Sequence, residues 1–304
     1  MVAFRYALLV FLGACSYGAV STMMKLGIQA GFTVQQLIGG QYVFGWLLLL
    51  VLTGLFSRHK MGLKHVLLLL GCGLSVCFTS ITYGVAVAEL PASIAVVFLF
   101  QFTWIGILLD AIVSRRRPDN GQIGAVAILL VGTVLAGGLL EQGISGLTWK
   151  GALFGILSAV SFALYIFVSG RAAVTVPVLN RSLTMITSAM LVVFILFPPT
   201  FIWDGALLSG LWKYGLAIGL LGIVIPVIFF GIGIPRIGTS LGTILGAAEL
   251  PAAVIVSVII LQEQVTGLQW LGIVLIFIGI CVPQIAVAVR QRRSTKMTTN
   301  QEQT

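Results

Sequence analysis

Charge is what this 304-residue chain has least of: Asp, Glu, Lys and Arg make up 8% of it, against about 25% in an average soluble domain. So little polar surface cannot cover a core in water, whereas in lipid an apolar exterior is favourable. A water-soluble domain is therefore excluded. With 59% hydrophobic residues and a mean hydropathy of +1.13, the chain reads as an integral membrane protein. Histidine is almost missing, and His59 and His65 share one loop. No HExxH, GxxxxGK[ST] or GxSxG occurs, which removes zinc proteolysis, ATP-driven work by this chain alone and hydrolase chemistry. No catalytic residue, cofactor or metal is expected. The four cysteines (Cys15, Cys72, Cys77, Cys281) fall in apolar segments without a CxxC pair, which argues against a disulfide framework or zinc site. The "LGAC" ending at Cys15 has the form of a lipoprotein cleavage site, but the apolar run continues to Met24 and nine similar runs follow, so it is an uncleaved span.

What is present is a series of apolar runs. Crossing the hydrocarbon core takes roughly 20 predominantly apolar residues in a helix. Ten runs qualify: 4–25, 34–56, 65–87, 91–112, 121–140, 149–169, 181–202, 212–232, 238–261 and 267–288. The net charge of +9 is scattered between them, so no basic face for nucleic acid arises. It does report topology. With both termini on the cytoplasmic side, the inner segments hold fourteen of the 17 Lys and Arg, and the outer ones only Lys25, Lys150 and Lys213. The positive-inside rule therefore places both termini in the cytoplasm of a plasma or inner membrane. Residues 290–304, "RQRRSTKMTTNQEQT" after Val289, read as a disordered basic cytoplasmic tail near anionic headgroups.

The runs also repeat. At an offset of 148, Gln101 lies over Glu249, Thr103 over Pro251, Arg115 over Glu263 and Gly124 over Gly272; at 145, Ser16 and Tyr17 lie over Ser161 and Phe162. Residues 1–144 and 145–289 then form two five-span halves. Five is odd, so the second half enters the membrane from the opposite side. The expected fold is an all-α membrane protein of ten transmembrane helices in two inverted five-helix repeats.

This pattern, with "GTSLGTILGAAELPAAVIVSVIILQEQVTGLQWLGIVLIFIG" closing the second half and Pro251, Glu263, Gly272 and Gly279 in register, resembles the EamA-type members of the drug/metabolite transporter superfamily. The first half departs from the family pattern with Thr103 and Arg115 but keeps Gly124 and Gly132. The resemblance implies a transporter, often an exporter, of amino acids or other metabolites.

Glu249 is the residue that most needs a reason. It lies near the middle of the ninth run, where an acidic side chain costs about 2.5 to 3.5 kcal/mol. Gly242, Gly246, Glu249 and Ala253 share one helical face, a small-residue strip suited to close packing or to leaving room for a substrate. Pro251 frees a carbonyl near position 247. Glu249 is the candidate ligand for a substrate amine or carrier of a coupled proton; the structural alternative is a protonated tether between helices. Gln101 with Trp104 is the candidate opposite wall, and Tyr17, Tyr83 and Tyr165 are candidate cavity-lining phenols. Gln41, Tyr42 and Trp46 open the second run and either reach inward or anchor at the interface. Lys25 is expected to snorkel outward, Asp110 to pair with an arginine of "SRRR", Glu263 to be structural, and Pro226 and Pro235 to kink or end the eighth run. The reading is a secondary-active or facilitative exporter of small metabolites, amino acids among them, working by alternating access. It is driven by the substrate gradient or by proton exchange. A membrane-embedded enzyme or accessory scaffold for lipid-linked substrates is the alternative.

Overall fold

The computed structural model describes residues 2–57, 59–90, 92–142 and 148–282; the expected basic tail lies outside them. Among the described residues the regular structure is helical. Helices satisfy every interior backbone group within one segment, which lipid requires. Eight helices are long and apolar enough to cross a membrane: α1 Phe4–Gln29, α2 Val34–Phe56, α3 Leu63–Ala86, α4 Ile94–Ser114, α6 Trp149–Ser169, α7 Val178–Leu196, α8 Leu207–Ile237 and α9 Thr239–Leu261. Two shorter apolar helices, α5 Asn120–Ala136 and α10 Gly267–Val282, occupy the fifth and tenth places. Local chemistry sets many ends. Thr33 and Gln36 form a reciprocal cap before α2, and Thr148 accepts from the Gly151 N–H before α6. The seventh run was expected to reach residue 202 but stops at Leu196, because Pro198 keeps Phe197 out of the helical conformation (φ −128°, ψ 88°). The eighth starts earlier and ends later than the expected 212–232, since neither Pro226 nor Pro235 stops it.

The packing is two-fold symmetric. α3 packs on α6 and α8 on α1; α4 packs on α6 and α9 on α1; α2 packs on α8 and α7 on α3; α2 with α7 and α4 with α9 pair across the axis. Exchanging each helix with the one five places on reproduces this list. Individual bonds obey the same exchange. Ser16 Oγ in α1 donates to the Leu221 carbonyl in α8 at 2.7 Å, and Ser161 Oγ in α6 donates to the Ser75 carbonyl in α3 at 2.7 Å. Two close helix approaches are also twinned. A Cβ on Gly73 would lie 2.0 Å from the Met185 carbonyl oxygen, and one on Gly219 would lie 2.9 Å from that of Gln41. Only glycine lets the backbones meet there.

α4 and α9 are both interrupted near the middle. In α9 the Ala247 and Ala248 N–H groups bond three residues back, and Pro251 carries no N–H for the Ala247 carbonyl. The interruption of α4 at Phe100–Gln101 persists without a proline: Thr103 turns both its N–H (3.2 Å) and its hydroxyl (3.0 Å) to the Phe100 carbonyl. α8 contains a π-helical turn, Leu220–Val224, just before Pro226. The Ser16 bond to Leu221 falls on this turn. Residues at all three irregularities are buried: Phe100 in α4, Ile223 and Val224 in α8, and Ala247 and Ala248 in α9.

Candidate functional site

Between the repeats lies a cavity of about 310 Å³. Its walls come from the second half of α1 (Tyr17, Gly18, Val20, Ser21, Met24), the start of α2 (Gln41, Tyr42), the second half of α3 (Val76, Thr79, Ser80, Tyr83) and the start of α4 (Val96, Leu99, Phe100). α6 to α9 close it near their middles with Phe162, Tyr165, Ile186, Gly222, Ile223, Val227, Glu249, Leu250 and Ala253. The space therefore runs from mid-bundle toward the end where α1 and α3 finish. Ser21, at its rim, is exposed.

Glu249 stands immediately after the interruption of α9, half-buried, and its carboxylate carries no hydrogen bond or ion pair with the described residues. Gly18 fixes where it stands. A Cβ on Gly18 would meet the Glu249 carbonyl oxygen at 2.3 Å and the Ala253 nitrogen at 2.7 Å, so α1 presses directly on this turn of α9. The strip of small residues divides its work. Gly246 packs toward Phe102 and Ile166 and Gly242 toward Ile234, while Glu249 and Ala253 face the cavity. Pro251 is buried beside them.

The aromatic side chains form a connected floor. Tyr17 meets Phe162 edge-on, centroids 6.0 Å apart at 80°, and Phe162 lies 6.0 Å from Tyr165 at 30°. Tyr17 also meets Phe230 at 5.9 Å. On the opposite wall Tyr42 Oη and Ser80 Oγ share a hydrogen bond of 3.2 Å, and Thr79 Oγ1 donates to the Ser75 carbonyl.

Of the residues singled out in the sequence, Glu249, Tyr17, Tyr83 and Tyr165 come together around the cavity. Gln101 and Trp104 do not line it. The Gln101 N–H bonds Phe98, which strands the Val97 carbonyl; the Gln101 amide nitrogen caps that carbonyl at 2.9 Å, and its oxygen accepts from Trp104 Nε1 at 2.8 Å. The amide is spent on the broken helix instead of a ligand. Gln41 and Tyr42 reach inward, whereas Trp46 donates to Thr187 Oγ1 at 2.9 Å.

Asp110 does not pair with the adjacent arginines either. It accepts from Arg171 Nη2 and from Ser240 Oγ, both at 2.5 Å, and Arg171 also donates to Thr239 Oγ1 at 2.6 Å. This cluster joins α4, the end of α6 and the start of α9 at the end opposite the cavity's mouth. Arg115 is unsuited to that partnership, because it is the left-handed residue (φ 50°) that ends α4. Lys25, expected to snorkel outward, is exposed and meets Glu263 at 2.6 Å, joining the ends of α1 and α9. That hydrogen bond holds the Glu263 carboxyl below its usual range. These two of the three ion pairs among the described residues tie symmetry-related helix pairs, α6 with α4 and α1 with α9, at opposite ends of the bundle. Sequence reading missed Thr79, Ser80, Phe100 and Phe162 as cavity residues, and Arg171 with Ser240 as the partners of Asp110. The Ser161–Phe162 match to Ser16–Tyr17 was the only signal that pointed to any of them.

Comparison with known proteins adds two findings. A sequence model of the EamA-like transporter family matches residues 4–138 and 149–282, one match per repeat. One solved structure, described only as the crystal structure of a protein, superposes with a TM-score of 0.74 at 19% identity, over 93% of this chain and 97% of the other. At that identity it speaks for the fold. No curated protein matches.

Proposed function

Because the chain belongs to the EamA-like transporter family, whose members are multi-pass membrane transporters, we propose that it carries a small metabolite through the cavity between its repeats by alternating access. The observation that carries this reading is the Glu249 carboxylate, which faces the cavity at an interrupted helix and has no hydrogen bond or ion pair among the described residues. A merely structural acid would be expected to hold a donor, since a buried charge is costly unless paired. Interrupted helices at a repeat interface are where secondary transporters place substrate and coupling groups.

The symmetric packing supplies the movement. Two halves with the same fold and opposite orientation can exchange conformations, and the exchange transfers the opening from one membrane face to the other. With both termini in the cytoplasm of the plasma or inner membrane, the cavity faces outward, and the Asp110–Arg171–Ser240 cluster closes the cytoplasmic end. Export then loads the substrate from the opposite conformation and releases it from this one. Glu249 holds the substrate or a coupled proton during the exchange.

The test is substrate-screened counterflow in proteoliposomes, wild type beside Glu249→Gln, with and without an imposed pH gradient. Flux that persists in the variant but no longer responds to the gradient assigns Glu249 to proton coupling. Loss of all flux from folded protein assigns it to binding. Absence of flux from the wild type for every metabolite class would turn the reading toward a scaffold or enzyme.

A further inference from the structure

We infer that the cavity selects a monovalent organic cation with a compact apolar body, an aromatic amine for example, and rejects amino acids and organic anions; this rests on the transport reading above and names the substrate class of that site. Among the described cavity-lining residues, Glu249 is the only Asp, Glu, Lys, Arg or His. A substrate carboxylate or phosphate would find no cation to receive it and would sit beside a like charge. Neither basic residue near this region lines the cavity: Arg181 is buried, donating to the Ser169 carbonyl at 2.7 Å and the Gly231 carbonyl at 3.3 Å while its Nε has no partner among the described residues, and Lys25 is held by Glu263. An incoming cation, by contrast, supplies the partner that the Glu249 carboxylate lacks among the described residues.

The rest of the wall fits the same ligand. Tyr17, Phe162 and Tyr165 surround the space with ring faces and edges, and aromatic faces attract a desolvated cation. Around them the lining is mainly aliphatic, so a body attached to the charged group needs few polar atoms of its own. A volume of about 310 Å³ is at the small end of ligand pockets, suited to one ring and a short chain.

The probes are five compounds sharing one phenyl ring: phenethylamine, its N,N,N-trimethyl derivative, phenylalanine, 3-phenylpropionate and 2-phenylethanol. Binding to purified full-length protein is measured by calorimetry, and flux by counterflow in proteoliposomes. Both cations are expected to bind about tenfold or more tighter than phenylalanine and phenylpropionate. The trimethyl compound has no proton to give up, so its binding shows that Glu249 pairs with the charge itself. Glu249→Gln removes the cation preference while changing phenylethanol binding less than about threefold, and Glu249→Asp, which keeps the charge, retains the preference. Phenylalanine or phenylpropionate binding as tightly as phenethylamine would overturn the inference. So would a preference that survives Glu249→Gln, or no detectable binding of either cation. Cation-selective binding without flux of any probe would uphold the selectivity and overturn the transport reading instead.

Discussion

Replacing Asp110 by Asn is expected to loosen the end of the bundle that holds the N-terminus. The carboxylate accepts from Arg171 and Ser240 at 2.5 Å each and from Ser114 at 3.2 Å, so one side chain ties α4 to both α6 and α9. Hydrogen bonds to charged groups contribute about 1.5 to 3 kcal/mol each when sheltered. Here the Asp110 side chain is 21% exposed and that of Arg171 37%, so solvent screens part of this. A net loss of about 2 kcal/mol follows, which shifts the closed-to-open ratio about thirtyfold. Thr243 offers a reporter: it is fully buried one turn beyond Ser240, where Gly106 of α4 packs against its methyl group. With the four native cysteines replaced and Thr243→Cys introduced, a membrane-impermeant thiol reagent applied to the N-terminal side should label the parent slowly and the Asp110→Asn variant about tenfold or more faster. Labelling rates within about twofold of each other would show that the cluster holds the helices together without controlling access. The reasoning would fail in the same way if a variant destabilised elsewhere, such as Gly73→Ala, gave the same acceleration.

The remaining expectations concern packing and charge. Gly73→Ala drives a methyl group into the Met185 carbonyl and the Ser188 hydroxyl, at 2.0 and 2.1 Å, and is expected to cost about 3 kcal/mol or more in a denaturation assay. Its twin Gly219→Ala should cost less, because its nearest contact is 2.7 Å. Glu249→Gln keeps the side chain's volume and removes only its charge, so folded stability should stay within about 1 kcal/mol while coupling or binding is lost. At the opposite end Lys25 and Glu263 are 53% and 42% exposed, and breaking their pair by Glu263→Gln should cost less than about 1 kcal/mol and nothing measurable in high salt. The folded Glu263 carboxyl titrates lower than the unfolded one. Its contribution is therefore present above the unfolded value and fades as pH falls through the folded one, which a comparison of thermal unfolding at pH 7 and pH 3 reads directly.

The division between what sequence and tertiary structure determine follows from how far each property reaches along the chain. Hydropathy is a sum over neighbouring residues, so the membrane-spanning runs from Phe4 to Val282 were legible without coordinates, as was the repeat, because duplicated segments keep residues such as Ser16 and Ser161 in register. Glu249 was legible for a similar reason: one carboxylate in a long apolar run stands out against its cost. Which side chains share the cavity was not. That depends on how each helix is rotated and where its hydrogen-bond ladder breaks. Gln101 matches Glu249 residue for residue in the repeat, yet the break in α4 leaves the Val97 carbonyl open, and the nearest amide closes it. Asp110 lies five to seven residues from three arginines in the sequence, but α4 ends at Arg115 in a left-handed turn, and the donors that reach the carboxylate from other helices come from α6 and α9. Composition determined the solvent of this protein, and hydropathy where its apolar helices lie; only the packing of one repeat against the other decided which polar groups meet.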